Sequence, residues 1–243
     1  MQARLNKRLR ATGIDSYDNY YGYLTSNEDP REIVNFIDCI STNLTYFFRE
    51  QQHFDFLYKI FPDYLEAKLK ERNHRIRVWS AGCSTGEEPY SIAMCLLNSL
   101  STHTNIDLKI LATDISTKVL AIAKKGIYGA DKLKNVSPDF RKKFFKKIRN
   151  SSEEYEVLEQ VKNIITFSRL NLKEPEPYPF KGPFDFVFCR NVMIYFDKQT
   201  QEALVNRIAG YLTPGGYLFV GHSESLMGLN HELSYVKPAV YRK

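Results

Sequence analysis

A loop with one sharp turn and two neighbouring acids contains the first side chains that could do chemistry. Residues 81–89 read AGCSTGEEP and follow the strand-like segment RIRVWSA. Gly82 would let the chain turn sharply and let a ligand approach the backbone. Glu87 and Glu88 would occupy the first turn of the next helix, a place that otherwise attracts anions. Because a pyrophosphate would be repelled there, the loop favours a ligand with hydroxyl groups, a positive charge and no phosphate.

Two interpretations of this loop remain open on these residues alone. S-adenosylmethionine has the required features, since it combines adenosine hydroxyls with a positive charge and carries no phosphate. The alternative is an ordinary helix start, at which the two acids complement the helix dipole. In either case the loop lacks the G-x-G-x-x-G pattern and the lysine of phosphate-binding loops.

An acid also ends the second strand-like segment, LKILATD. Asp114 stands where dinucleotide folds place an acid that accepts hydrogen bonds from ribose hydroxyls. The alternative is that Asp114 caps the next helix, but Ser116 could do that instead and leave Asp114 free. The loop and this acid together predict a nucleoside site.

Polar residues follow the apolar segment FDFVFC as well. Arg190 and Asn191 come directly after it, and Tyr195 could present its hydroxyl group to a substrate. The alternative is a plain loop in which Asp197 caps the next helix, but that leaves Arg190 and Asn191 unexplained.

The segment TNLTYFFRE, residues 42–50, sets hydrogen-bonding side chains around an aromatic cluster. Its simplest interpretation is a helix end, capped by Thr42 or Asn43, with an aromatic pair in the core. Taken by itself, the segment favours this interpretation over a binding role.

The elements that must position these residues alternate between strand and helix from about residue 75. Strand-like segments occupy 75–81, 108–113, 164–170, 184–189 and 217–221, with helical patterns at 86–100, 116–125 and 197–212. This alternation predicts an α/β fold with a doubly wound, mostly parallel sheet. In such a sheet ligands bind at the carboxyl ends of the strands. Residues 233–242 are predicted to return as an antiparallel last strand.

The first 73 residues predict a small all-helical domain that includes a linker helix, and residues 74–243 predict the sheet domain. Gly13, Ser16 and Asp29 are expected to stop or cap the first helices. Pro62 is expected to end or kink the linker helix at Phe61.

Composition and charge exclude several classes of protein. The 243 residues are 43% hydrophobic and include 16 Phe and 16 Tyr, too many for a disordered chain. The four cysteines form no C-x-x-C pair, so we expect reduced thiols, no metal site and a cytoplasmic protein. No apolar run is long enough to span a membrane.

The formal charge of +6 is unevenly distributed. Residues 124–149 hold ten basic and two acidic residues, and residues 1–10 hold four basic ones, which leaves the remainder at 6 − 8 − 4 = −6. The longer basic segment is interpreted as a solvated helix face. The N-terminal one is interpreted as a surface for an acidic partner.

Five motifs, in this order, resemble the chemotaxis receptor methyltransferases, the CheR-like protein-glutamate O-methyltransferases: TNLTYFFRE, VWSAGCSTGEEPYS, ILATDIS, FDFVFCRNVMIYFD and LTPGGYLFVGHSE. The resemblance runs from about Arg4 to the end of the chain, and the first, second and fourth motifs are long and specific. It implies a helical domain in front of a Rossmann-like class I methyltransferase domain. It also implies the formation of glutamate methyl esters on chemoreceptor cytoplasmic domains, for sensory adaptation, with S-adenosylmethionine as donor and S-adenosylhomocysteine as product.

The resemblance also implies roles for individual residues. Arg49 and Tyr195 would line the methyl-transfer site. The residues that would contact the cofactor are Asn43, Thr45, Arg49, Ala81, Gly82, Glu87, Asp114, Asn171, Leu172, Arg190 and Asn191. No metal is implied.

For partners, the resemblance implies the helical bundle of a chemoreceptor, docked through the basic N-terminal helix with its Arg4, Lys7, Arg8 and Arg10. The chain is expected to begin inside the family's basic helix, without the helix upstream of it. The family also inserts a small β-subdomain, for which residues 150–163 are the candidate, and some members dock a receptor's C-terminal peptide there. No nucleic acid and no membrane insertion are expected.

Two alternatives from other classes remain. The first is a methyltransferase that acts on another substrate such as nucleic acid, given the basic charge, although no nucleic-acid motif is present. The second is a non-catalytic receptor-binding module on the same fold. The intact set of polar residues named above argues against the second.

Overall fold

Four helices occupy residues 2–70 of the computed structural model, which describes residues 2–26, 29–41, 43–100, 105–149, 153–174 and 177–243. They are α1 Gln2–Thr12, α2 Tyr17–Ser26, α3 Pro30–Ile40 and α4 Gln51–Lys70. The expected stops and caps are present. Gly13 has φ +73° after α1, Ser16 accepts a hydrogen bond from the amide of Asn19, and Asp29 accepts one from the amide of Arg31. Thr42, one of the two predicted caps, lies outside the described residues.

Helix α4 does not end at Phe61, which was one of the two outcomes expected of Pro62, but continues through Pro62 to Lys70. Proline in a helix interior costs about 3 kcal/mol. The same helix buries Phe54, Leu57, Phe61 and Leu65 in one core with the sheet, and each such side chain contributes roughly 1.5–3 kcal/mol. Burial on both sides of Pro62 therefore outweighs its cost.

The remaining elements alternate as expected. The further helices are α5 Glu87–Ser99, α6 Thr117–Lys125, α7 Pro138–Phe144, α8 Glu159–Lys162 and α9 Lys198–Tyr211, with a 3-10 turn at Met193–Tyr195. The strands are β1 Arg75–Ala81, β2 Asp107–Asp114, β3 Ile127–Gly129, β4 Phe145–Lys147, β5 Glu154–Val157, β6 Ile165–Arg169, β7 Phe184–Cys189, β8 Leu212–Val220, β9 Ser234–Lys237 and β10 Val240–Arg242.

Seven of these strands form one sheet in the order β6-β2-β1-β7-β8-β10-β9. The first five are parallel, whereas β10 pairs antiparallel with β8 and with β9. The predicted mostly parallel sheet with an antiparallel end is therefore confirmed, with two terminal strands in place of one. Alternate residues of β1 enter different cores: Ile76 and Val78 pack with α4 and α5, and Trp79 and Ala81 pack with α9. The sheet is thus covered on both faces.

A small antiparallel sheet has the order β3-β5-β4. The predicted insertion at 150–163 supplies only one of its strands, β5, together with α8; residues 150–152 lie outside the described residues. The other two strands come from the basic segment 124–149, so that segment is not a solvated helix face as interpreted above. Tyr128, Phe145 and Val157 are buried in the main core, and three-residue strands are too short to show a period in the sequence.

None of the helices in the described part of the chain is long and apolar enough to cross a membrane. The predicted boundary between residues 73 and 74 stays a prediction. Helix α4, on the N-terminal side of that boundary, packs against α5 and the sheet.

Candidate functional site

The loop after β1 is held tightly at the carboxyl edge of the sheet. The amides of Gly82 and Cys83 both donate to the carbonyl of Thr113 on β2, at 2.8 and 2.9 Å. Gly82 has φ +84°, and a Cβ atom there would lie 2.4 Å from Cγ2 of Val192, in the loop after β7. Only glycine allows this approach. Gly82 therefore makes the sharp turn expected of it and lets the loop after β7 approach the loop after β1.

Glu87 is fully buried at the start of α5 and keeps one acceptor atom available. Its Oε2 atom accepts a hydrogen bond from the Thr85 hydroxyl at 2.6 Å. Its Oε1 atom lies 3.3 Å from Nζ of Lys132 but receives no well-formed hydrogen bond from the described residues. Lys132 belongs to the segment that the sequence assigned to solvent. A buried carboxylate oxygen without a donor fits the amino group of a ligand.

Glu88, the second acid, does not face open space. Its Oε1 atom accepts from the Ser80 hydroxyl at 2.7 Å, and its Oε2 atom lies 3.0 Å from Nη1 of Arg190. The guanidinium of Arg190 also lies 3.1 Å from Oε2 of Glu50 and donates to the carbonyl of Arg49. Only 1% of the Arg190 side chain is exposed. The side chain of Arg190 therefore joins three segments of the protein, and its contact with a cofactor stays a prediction.

The pKa values of Glu50 and Glu88, the two acids that contact Arg190, are shifted in opposite directions. Burial raises the pKa of Glu88, and the attraction of Arg190 offsets only part of this. For Glu50, burial also favours the neutral form, but Arg190 and the donors of His222 and Asn191 outweigh it, so the pKa of Glu50 lies below its usual range. Arg190 thus favours the charged form of both acids, but only for Glu50 is the effect of burial outweighed.

Asp114 is nearly buried and is not free, although Ser116 caps α6 as predicted through the amide of Val119. Its Oδ2 atom accepts from the amide of Ser84 at 2.8 Å, and its Oδ1 atom accepts from the amide of Ser116 at 2.9 Å. Burial raises the pKa of Asp114, and these backbone donors oppose the shift. Each carboxylate oxygen retains a second lone pair, so Asp114 can fix the loop after β1 and still accept a hydroxyl group.

The pair Asn171-Leu172 reaches the same edge of the sheet. The amide of Leu170 donates to the carbonyl of Asp114 at 3.0 Å, which places the loop after β6 beside the loop after β2. The carbonyl of Leu172 accepts from the Tyr178 hydroxyl at 2.8 Å. An open cleft of about 260 Å³ lies between Leu172 and α9.

The segment TNLTYFFRE crosses this edge instead of simply ending a helix. The carbonyl of Asn43 accepts from the Ser84 hydroxyl at 3.4 Å, and the amide of Phe48 donates to the hydroxyl of Ser91 in α5 at 3.0 Å. The carbonyl of Thr45 lies 3.5 Å from Nζ of Lys132. These contacts place the segment on the loop after β1 and favour the binding interpretation over a capped helix end.

Arg49 and Tyr195 are the two residues assigned to methyl transfer. The side chain of Arg49 is held by neighbouring residues, whereas that of Tyr195 is exposed. Arg49 donates to the carbonyl of Leu44 at 2.7 Å, and its guanidinium lies 5.9 Å from the centre of the Tyr46 ring. Tyr195 ends the 3-10 turn with 61% of its surface exposed, and its hydroxyl has no hydrogen-bond partner among the described residues. Asp197 caps α9 through the amide of Thr200, as predicted. Tyr195 is thus able to present its hydroxyl to a substrate.

Sequence reasoning missed three residues that assemble this edge: Glu50, Lys132 and Glu224. Glu50 accepts from the side chain of Asn191 at 3.3 Å, and Glu224 accepts from the amides of the same loop. Glu50 and Glu224 lie inside motifs that carried the family resemblance, which was the available signal. Lys132 had none.

Glu50, His53 and His222 place potential metal-ligating atoms within 4.8 Å of one another. Both ring nitrogens of His53 are buried and lack hydrogen bonds in the described structure. However, the oxygen of Glu50 nearest to His53 also holds the guanidinium of Arg190. A fixed positive charge there opposes a metal cation, so we interpret this cluster as a neutral histidine beside an ion pair.

His53 gives this region a pH-dependent stability. Burial, aided by the neighbouring Arg190, lowers the pKa of His53 to about 3, whereas a histidine in the unfolded chain takes up a proton near pH 6.5. Between these values the unfolded state binds more protons, so we expect the free energy of unfolding to fall as the pH drops. The expected slope from this group is at most about 1.4 kcal/mol per pH unit. Urea unfolding at a series of pH values measures it.

The control is His53→Phe, which keeps a ring against Phe219. This variant is expected to lose the part of the slope that belongs to His53. An identical slope in both proteins would show that His53 is not held neutral.

Comparison with known proteins came to the same group of enzymes. The family model described as "CheR methyltransferase, SAM binding domain" matches residues 43–241, and "CheR methyltransferase, all-alpha domain" matches residues 1–41. The chain is 43% identical to a chemotaxis protein methyltransferase of Borreliella burgdorferi, over 100% of this chain and 85% of that one. It is 42% identical to one of Salmonella typhimurium and 41% identical to one of Escherichia coli, in each case over 98% of this chain and 80% of the relative.

Proposed function

Because the chain belongs to the CheR methyltransferase family, we propose that it transfers methyl groups to glutamate carboxylates on the cytoplasmic domains of chemoreceptors. The protein is an S-adenosylmethionine-dependent methyltransferase of chemotaxis. One observation carries the choice of site: the loops after β1, β2, β6 and β7 and the segment 43–50 are joined by hydrogen bonds at one edge of the sheet.

The residues at this edge fit the cofactor. Oε1 of Glu87 is a buried acceptor for an amino group, Asp114 keeps lone pairs for a hydroxyl, and the two acids in the first turn of α5 would repel a phosphate there. The proposed cofactor-binding set is Asn43, Thr45, Arg49, Ala81, Gly82, Glu87, Asp114, Asn171, Leu172, Arg190 and Asn191. For Arg190 the backbone is the proposed contact, since both terminal nitrogens of its guanidinium already have partners.

Methyl transfer to a carboxylate demands alignment more than proton chemistry. A glutamate side chain is already ionised near neutral pH, so the chain needs no general base for this acceptor. When bound, S-adenosylmethionine supplies an electrophilic methyl group. Arg49 and the exposed hydroxyl of Tyr195 are proposed to orient the incoming carboxylate and exclude water from it.

Two of the four basic residues proposed to meet the receptor, Arg4 and Arg8, have partners within the helical domain. Nη1 of Arg4 donates to the carbonyls of Ile40 and Ser41 at 2.9 Å. Arg8 forms a two-point ion pair with the buried Glu32. Both arginines hold α1 against α3, which leaves Lys7 and Arg10 as the basic residues of α1 that are exposed and have no side-chain hydrogen bond or ion pair among the described residues. We propose that these two contact an acidic receptor surface; docking of a receptor peptide on the small sheet stays a prediction.

Reversal of these two charges is expected to slow receptor methylation and leave cofactor affinity unchanged. The variant is Lys7→Glu with Arg10→Glu, because exposed charges on a docking surface act mainly on the association rate. The effect is expected to shrink as the salt concentration rises. Initial rates of methylation at sub-saturating receptor measure it, with calorimetry for S-adenosylhomocysteine.

The matched control is Lys59→Glu with Lys124→Glu, which makes the same change in net charge at two exposed lysines of other helices. Equal rates for the two double variants would remove α1 from the docking surface.

One experiment separates the proposed function from its alternatives. The protein is incubated with methyl-labelled cofactor and, in separate reactions, with receptor-bearing membranes or nucleic acid. Base-labile label on the receptor is the expected result, because methyl esters hydrolyse in base. Label on nucleic acid would favour the first alternative, and no label at all would favour the non-catalytic module.

A further inference from the structure

A buried carboxylate that has no role in the mechanism above lies directly behind the loop after β7. Glu224 follows β8, and 7% of its surface is exposed. Its Oε2 atom accepts from the amides of Gly221 at 2.6 Å and Asn191 at 2.8 Å. Its Oε1 atom accepts from the amides of Met193 at 2.7 Å and Ile194 at 3.3 Å. One side chain thus receives four backbone hydrogen bonds.

Three of these four donors belong to the short turn that leads to Tyr195. Asn191 has φ +57°, a left-handed conformation that a side chain disfavours, and Met193 begins the 3-10 turn. Hydrogen bonds to a carboxylate are stronger than those to a neutral acceptor. Glu224 therefore sets the conformation of a segment that has no strand or helix to fix it.

Gly221, directly after β8, shows how closely this strand approaches the loop after β7. A Cβ atom on Gly221 would lie 2.5 Å from Nδ2 of Asn191, 2.8 Å from Oε2 of Glu224 and 2.9 Å from the amide nitrogen of Asn191. The end of β8 thus approaches the loop to a distance that no larger residue allows. The same loop is held from its other side by Glu50, through the side chain of Asn191.

We propose that Glu224 is a positioning residue for methyl transfer, whose carboxylate fixes the loop at 191–195 so that Tyr195 meets the acceptor. This inference rests on the proposed function. Glu224 acts through backbone amides and contacts neither reacting group. Its effect should therefore appear in the rate of transfer, whereas the proposed cofactor contacts on the other loops remain in place.

The test variant is Glu224→Gln, which keeps the size of the side chain but replaces one acceptor oxygen with a donor. The amides on that side lose their partner, and the turn is expected to shift. We expect kcat for receptor methylation to fall roughly 10- to 100-fold, the loss that a displacement of about 1 Å produces. The dissociation constant for S-adenosylhomocysteine, measured by calorimetry, is expected to change by a smaller factor than kcat, because Asn191 is the one proposed cofactor contact whose amide Glu224 binds.

Two comparisons separate positioning from a general loss of stability. Glu232→Gln makes the same change at an exposed glutamate of the same C-terminal segment and is expected to leave kcat unchanged. In a double-mutant cycle with Tyr195→Phe, the combined loss is expected to be smaller than the product of the single losses, because both changes act on one group. A kcat for Glu224→Gln within about twofold of wild type, or losses that multiply, would overturn the proposal.

If Glu224→Gln does not fold, Glu224→Asp is measured against the same limits, since it keeps the charge and withdraws it by one methylene group. The wild-type protein supplies the remaining control. A folded wild type that methylates no receptor would overturn the proposed function and this inference with it. An active wild type with an equally active Glu224 variant would overturn this inference alone.

Discussion

Replacement of Arg190 with methionine is expected to cost about 3–5 kcal/mol of unfolding free energy, the usual effect of removing one partner from a buried ion pair. Arg190 holds Glu50 and Glu88 at 3.1 and 3.0 Å in a site that solvent hardly reaches. Methionine fills a similar volume but leaves two buried carboxylates without a counter-charge. Urea unfolding near pH 7 measures the difference between the variant and the wild type.

The cause of this loss of unfolding free energy can be identified from its dependence on pH. Burial already raises the pKa of Glu88 while Arg190 is present, and removal of the guanidinium would raise it further. The two carboxylates of the variant would then take up protons as the pH falls, so this loss should shrink in mild acid. Arg31→Met, at an ion pair with Asp29 in which 88% of the arginine side chain is exposed, is the control and should leave the unfolding free energy nearly unchanged. If the loss of unfolding free energy does not vary with pH, its cause is the lost packing of the arginine side chain and not the unpaired carboxylates.

Asp114→Ala is expected to weaken the binding of S-adenosylhomocysteine by at least about 10-fold, equivalent to about 1.4 kcal/mol. Two causes act together. The change removes the acceptor proposed for a ribose hydroxyl, and it leaves the amides of Ser84 and Ser116 without their partners. Each unpaired buried amide costs roughly 1–3 kcal/mol, so the loop after β1 should also lose its fixed position. Calorimetric titration measures the affinity.

The control lies at the other end of the same strand. Asp107 pairs with Arg77 near the surface at the start of β2, and Asp107→Ala should leave cofactor affinity unchanged. Equal affinities for the two alanine variants would remove Asp114 from the binding site, whatever happens to stability.

The main sheet could be predicted from the sequence because its strands are rich in apolar residues. β1 and β7 have the predicted bounds, since RIRVWSA and FDFVFC are mostly apolar segments bounded by polar turns. The resemblance predicted a small β-insertion and the candidate segment contains β5, but β3 and β4 could not be predicted, because strands of three residues show no periodicity. The course of α4 through Pro62 depends on contacts with a sheet that is distant in the sequence.

For the candidate site, the sequence predicted individual residues but not the side chains that contact them. Sequence position identified Asp114, Arg190 and Tyr195 because each follows the carboxyl end of a strand. Their partners could not be derived, because Glu50 is 140 residues away from Arg190 and reaches it only through the fold. Electrostatic reasoning placed Glu87 and Glu88 together in the first helical turn, but each has a different cationic partner, Lys132 for one and Arg190 for the other.

The position of α4 also decides where this chain can be shortened. A fragment that starts at residue 74 would lose Glu50 and the four apolar side chains that α4 buries against the sheet. Arg190 would keep only one of its two carboxylates, and an apolar face of the sheet would be open to water. A fragment that starts at residue 42 would retain all of these contacts and discard only α1 to α3. Helix α4 therefore packs as part of the sheet domain, although it precedes the first strand.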